Sequence, residues 1–202
     1  IFITLCAEVF FVLNSKFTSS VKSRSEPEFY QINSQLLSEV EQKAPKSALN
    51  LLKEMMKTDP AVLKGCHSLV HEIGRASFLK YGDFEMAMKY QDEVCNSGYL
   101  HGVIESAFLG SEDIIKTAGT ICKTGGESAF ENWQCYHGVG HGVMYFTQNN
   151  LPWSLLICDG LETDFAKSNC VNGVFMENFN TDQKLHKSAY LNPDEPFYPC
   201  LA

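Results

Sequence analysis

From about Phe29 onward, apolar residues recur at three- and four-residue spacings, the pattern of helices that each bury one face. Long alternating runs of β-branched residues are absent, so no sheet is expected. The chain is predicted to be all-α. Its first part differs. Residues 1–13 (IFITLCAEVFFVL) are almost continuously apolar, and residues 14–28 (NSKFTSSVKSRSEPE) are polar and Ser-rich. The apolar run is shorter than the roughly 20 residues a helix needs to cross a bilayer. It reads as the end of a transmembrane or signal-anchor helix, against the alternatives of a signal-peptide remnant or a buried core helix. The polar stretch reads as a linker and 29–202 as the helical domain. Glu8 is costly in lipid and would face a protein partner, so other membrane-protein subunits are expected at this helix. The chain begins at Ile1 rather than Met, and the EPFYPC run into Cys200 resembles the LPWSLLIC run into Cys158. A processed or partly covered protein, with a further unit beyond Ala202, is the expectation.

Within the helical region one pattern repeats. His67 and His71 stand four apart in CHSLVHE, His101 and Glu105 in YLHGVIE, and His137 and His141 in CYHGVGHG. Asn172 and Met176 hold the same two slots in CVNGVFME. The steps between units are 34, 36 and 35 residues (67 to 101 to 137 to 172). Positions i and i+4 share one face of a helix, so each of the first three units presents a two-donor clamp. Shorter second helices are expected over 48–57, 84–94, 114–123 and 152–161, with Pro152 suited to a helix start.

The stretch HEIGRASFLKYGDFEMAMKYQDEV resembles a tetratricopeptide or Sel1-like helical hairpin. Gly74 and Phe78 sit where the first helix packs tightly, Tyr81-Gly82-Asp83-Phe84 forms the turn, and Ala87 and Tyr90 lie on the second helix. The period also fits. At the Gly74 position the later units carry Phe108, Met144 and Phe179, so close packing there must differ. The resemblance implies an αα-hairpin solenoid whose first helices line one groove. It thereby implies that His67, His71, His101, Glu105, His137 and His141 converge there, because neighbouring helices pack about 8–10 Å apart.

Eight cysteines are many for a cytosolic chain of this length. Cys135 and Cys170 lie two residues before a His or Asn slot, with Cys122 and Cys158 preceding them by 13 and 12 residues. Disulfides Cys122–Cys135 and Cys158–Cys170 are expected, with Cys66–Cys95 as a third. Zinc ligation is the competing use, but no CxxC pair is present. Disulfides need an oxidising compartment, which places the domain outside the cytosol. Lys16, Lys22 and Arg24 alone would favour a cytosolic flank; the cysteines outweigh them.

Composition narrows the function. A net charge of −8 without a basic cluster argues against nucleic acid as a partner. No nucleophile elbow, phosphate loop, dinucleotide fingerprint, HExxH or CxxCH occurs. The repeated clamps point to a transition metal, with copper or zinc leading and iron or manganese admitted by Glu105. Glu72 and Glu177, next to the second slots, could orient an imidazole or act as a base on metal-bound water; the plain alternative is a helix-to-helix hydrogen bond, as from Glu72 to Arg75. Gly102, Gly138, Gly140, Gly142 and Gly173 each cost a helix roughly 1 kcal/mol against Ala, so close packing or a ligand must offset them. Three readings compete. One is an extracytoplasmic, membrane-anchored metal-binding protein, such as an accessory subunit of a membrane metalloenzyme. The second is a metal-dependent hydrolase or oxidoreductase working in the groove. The third is a metal-free scaffold whose histidines are packing residues.

Overall fold

The computed structural model describes residues 26–123, 128–180, 188–192 and 194–195. The apolar run 1–13, most of the 14–28 linker, Cys6, His186 and Cys200 lie outside the described residues. Among those described the chain is all-helical, with no strand. No described helix is long and apolar enough to cross a membrane.

The helices are α1 (Glu26–Gln42), α2 (Pro45–Thr58), α3 (Pro60–Tyr81), α4 (Phe84–Met88), α5 (Val94–Leu109), α6 (Ile114–Thr120), α7 (Ala129–Phe146), α8 (Leu151–Asp159) and α9 (Asp164–Asn180). Local sequence explains most of their starts. The Asp59 carboxylate accepts from Ala61 N and Val62 N, with Pro60 opening α3. Asp83, Asp113 and Asn150 cap α4, α6 and α8 in the same way. Ser128 and Glu131 form a reciprocal capping box on α7. Gly82, at φ 64°, ends α3 in the left-handed conformation that glycine adopts without penalty.

The long helices α3, α5, α7 and α9 pack side by side in chain order, and α2, α4, α6 and α8 pack against them. The expected second helix over 84–94 is shorter: α4 stops at Met88, and Val94 already belongs to α5. The helix expected over 114–123 gives way to turns after Thr120. Helix α1 starts at Glu26, slightly inside the expected linker.

Two apolar cores meet at α5. Tyr99 and Val103 face the core built with Leu36, Leu49, Leu69 and Ile73. Leu100, Ile104 and Phe108 face the core built with Val139, Met144, Ile157 and Val174. At 100° per residue these two sets leave a third face of α5, and it carries His101 and Glu105.

Glycine sets the spacing of the long helices. A Cβ on Gly74 would fall on the Tyr99 carbonyl oxygen, and one on Gly102 on that of His71. The pair α7 and α9 repeats this mutual contact: Gly140 meets the Cys170 carbonyl and Gly173 that of His137. The close approach made at Gly74 therefore recurs one turn before Met144, which is itself buried.

Three cysteine pairs stand at bonding distance in the expected pairings. Cys66–Cys95, Cys122–Cys135 and Cys158–Cys170 have Cα separations of 5.9, 5.7 and 5.6 Å. Each pair has one cysteine about two turns into a long helix: Cys66 in α3, Cys135 in α7 and Cys170 in α9.

The glycine contacts yield a paired test. Gly102→Ala is expected to lower stability by about 1–3 kcal/mol through overpacking, overriding the helix-propensity gain of about 1 kcal/mol. Gly119→Ala, at a position with open space, is expected to hold or raise stability. Denaturant titration of both variants is the check; a stabilised Gly102→Ala protein would refute the close packing.

Candidate metal centre

Helices held this close bring five imidazoles into one volume. The His67 and His71 ring centroids are 4.6 Å apart on α3, and those of His137 and His141 are 5.0 Å apart on α7. His101 of α5 lies between the two pairs, 5.3 Å from His71 and stacked on His141 at 4.7 Å. The α3 and α7 rings also meet across α5, with His71 and His141 5.3 Å apart. Gly98 and Gly138 make room, because a Cβ on either would press on the His71 or the His101 ring.

Each pair is oriented from behind by an acceptor. His71 Nδ1 lies 2.8 Å from Glu105 Oε1, and His141 Nδ1 lies 2.6 Å from Glu177 Oε2. His67 Nδ1 lies 2.7 Å from the Cys95 carbonyl oxygen. That carbonyl is aimed by an unusual turn: Cys95, Asn96 and Ser97 all have positive φ, at 55°, 58° and 57°. Non-glycine residues adopt this conformation at a cost, and such strain concentrates at functional positions.

These contacts fix the protonation of one pair. A carbonyl and an ionised carboxylate only accept, so Nδ1 donates in both His67 and His71. A neutral imidazole has one N–H. Both Nε2 atoms then carry lone pairs, and they face each other at 3.0 Å. A cation between them, either a proton carried by His71 or a metal ion, removes the repulsion. His137 and His141 also bring their Nε2 atoms together, 3.2 Å apart, although only His141 has an acceptor at Nδ1. Two nitrogens bound tetrahedrally to one ion at about 2.0–2.1 Å lie roughly 3.3 Å from each other.

His101 has a sharper deficit. It is 1 % exposed, and neither ring nitrogen has a hydrogen-bond partner; Nδ1 of His137 also has none. A buried polar group without a partner costs about 1–3 kcal/mol, so the donor set fits an ion better than it fits plain packing. The groups His67, His71, His101 and His71, Glu105, His141 each bring three donor atoms within 4.8 Å of one another, and either could hold a metal ion.

Charge behind the imidazoles is balanced by Arg75. Its guanidinium pairs with Glu105 Oε2 and with Glu72, and it lies over the Tyr145 ring at 5.4 Å. Burial alone would raise the Glu105 carboxyl, but His71 and Arg75 beside it hold it below the usual range. Burial, then Glu105 and Glu72, govern the Arg75 guanidinium, which is shifted upward and stays charged. With both glutamates ionised, this group of three carries one net negative charge, which a cation at the imidazoles would neutralise. Burial is the main cause that lowers His67 and His137 to about 4 each, with neighbouring imidazoles adding to it. Burial also holds His101 well below its ordinary value.

The structure thus brings together all six residues expected from the sequence. Glu105 is placed differently from a simple ligand, since His71 and Arg75 occupy its two oxygens. Glu177 orients an imidazole, whereas Glu72 bonds Arg75. The donors do not line an open groove: His71, His101, Glu105, His137 and His141 are buried, and His67 keeps a partly exposed edge. Asn172 is exposed, but Met176 touches the imidazole group, 3.2 Å from His137 Nε2. Sequence reasoning missed the Cys95 carbonyl and the Tyr145 ring, which no spacing rule marks. No family model, curated protein or solved structure matches this chain.

The lowered imidazoles set a pH dependence for the metal-free protein. In the unfolded chain these histidines take up protons near 6.5, but in the folded chain His67 and His137 do so only near 4. The unfolded state binds more protons between those values, so stability falls as the pH is lowered from about 6.5 toward 4. Urea titrations of chelator-treated protein from pH 7 to 5 read this directly, since carboxylates contribute little there. A flat profile would contradict the burial of neutral imidazoles.

Proposed function

We propose that this chain is an extracytoplasmic, membrane-anchored helical-repeat protein that binds a transition metal, holding or delivering it as an accessory subunit of a membrane metalloenzyme complex. In this reading α3, α5, α7 and α9 are the first helices of tetratricopeptide- or Sel1-like hairpins in a short solenoid. The observation that carries the metal reading is His101, buried without a partner for either nitrogen and flanked by the opposed Nε2 lone pairs of His67 and His71. A proton on His71 would relieve that pair and leave His101 unserved; one metal ion would take a nitrogen lone pair from each of the three. Imidazole donors favour copper or zinc. Glu105 and Glu177 act from behind as carboxylates that orient His71 and His141, an arrangement that raises ligand basicity.

Further parts of the reading have separate support. The three cysteine pairs support an oxidising compartment. The membrane anchor and its subunit contacts rest on the apolar run 1–13 and Glu8. The buried position of the donors supports storage or a structural ion over turnover, which needs an open coordination position and access for substrate.

Elemental analysis of the purified protein is the first test. Stoichiometric copper or zinc is expected, with at least one equivalent less in the His67→Ala/His71→Ala variant. A folded protein that holds no metal after reconstitution with copper, zinc and iron would return the histidines to packing. A second test separates the roles by sign. His101→Leu is expected to raise the stability of the metal-free protein by about 1 kcal/mol or more, because an unsatisfied buried group is removed. The same variant is expected to lose most of the stabilisation that added metal gives the parent. A structural histidine would instead lose stability on this substitution with no change in metal response.

A further inference from the structure

The contact between Met176 and His137 lies at the far edge of the imidazole group from His67 and is used by nothing described so far. We propose that His137, His141 and Met176 form a second, soft site that takes monovalent copper, distinct from the nitrogen site at His67, His71 and His101. The proposal rests on the metal reading above and specifies the ion for one half of the centre.

Geometry carries it. His137 Nε2 lies 3.2 Å from the Met176 thioether sulfur and 3.2 Å from His141 Nε2. His141 Nδ1 is bonded to Glu177, so its Nε2 lone pair points toward His137. His137 Nε2 thus has a second imidazole nitrogen and a thioether sulfur as neighbours, each at 3.2 Å. With metal–nitrogen bonds of about 2.0 Å and metal–sulfur bonds of about 2.3 Å, both edges correspond to angles near 100° at a shared ion. A few tenths of an ångström of rotamer adjustment would open these toward the angles of three-coordinate copper.

Chemistry then selects the ion. A thioether is a soft, neutral donor that favours monovalent copper over zinc or divalent copper. As ligands, two imidazoles and a thioether are all neutral, which suits an ion of low charge. Aromatic cover points the same way. Trp133 stacks on His137 with centroids 5.4 Å apart and planes at 22°, and Phe130 stacks outside Trp133 at 6.0 Å. This stack shields one side of His137 from water, which disfavours the more strongly hydrated divalent ion. The nitrogen site lacks a sulfur donor among its three imidazoles, so the two halves differ in softness.

The test compares the parent protein with Met176→Leu, a swap that nearly conserves volume. Under anaerobic conditions with ascorbate, competition with a chromophoric copper(I) chelator reads the copper(I) affinity, and a zinc chelator reads zinc. The substitution is expected to weaken copper(I) binding at least about tenfold, the scale of loss seen when a group that merely orients a ligand is removed. Zinc affinity is expected to stay unchanged. X-ray absorption of the copper(I)-loaded parent protein is expected to show a sulfur neighbour that is absent in the variant. Copper(I) bound by nitrogen alone, or an affinity indifferent to Met176→Leu, would overturn the soft site while leaving the metal reading intact. A parent protein that binds neither zinc nor copper would overturn both. The absorption spectrum of the parent protein decides the matter even if the variant fails to fold.

Discussion

Backbone touching backbone is the constraint on which this structure depends. Where Gly102 meets the His71 carbonyl and Gly173 meets that of His137, no side chain separates the helices. Ordinary helix pairs are held 8–10 Å apart by the residues between them. Removing those residues lets side chains one helix further along reach across, and so α3 and α7 can place imidazoles in contact over α5. The glycines look wasteful on a helix considered alone. They are the means by which donors from three helices share one space.

That space is bounded by a strict electrostatic order. Burial disfavours the charged form of His67, His101 and His137, carboxylates stand behind His71 and His141, and Arg75 stands behind one carboxylate. A buried carboxylate without partners would be far more costly than the imidazole it serves. Glu105 is therefore tied on both oxygens, and its pairing with Arg75 places a cation where it cannot approach the His71 Nε2 lone pair. The apolar cores on either side of α5 keep this polar group from spreading.

Much of this was legible in the sequence. Histidines four apart on a helical period placed the donors on one face, and the capping residues Asp59, Asp83 and Ser128 mark helix starts by local rules. The repeated cysteine spacing marked Cys122–Cys135 and Cys158–Cys170, whereas Cys66–Cys95, 29 residues apart, lies outside that repeat. Other features have no local signature. Glu105 occupies a ligand slot by register, yet its role depends on Arg75, thirty residues earlier on a different helix. The early end of α4 reflects the tight route from Lys89 to Glu93 into the strained turn at Cys95, and propensity over 84–94 does not encode that. Whether the donors face a groove or close on one another depends on curvature accumulated over several helices, which no single repeat specifies.

His67 is the most exposed of the five imidazoles; His71 and His137 are buried with only a sliver of surface in water, and His101 and His141 are enclosed. Passage to the interior of the group is therefore a matter of helices parting. Openings of this kind occur at rates set by local unfolding, orders of magnitude slower than the collision of a small solute with a surface. An ion seated in that volume would take its residence time from the breathing of the helix pack, held by slowness as much as by affinity.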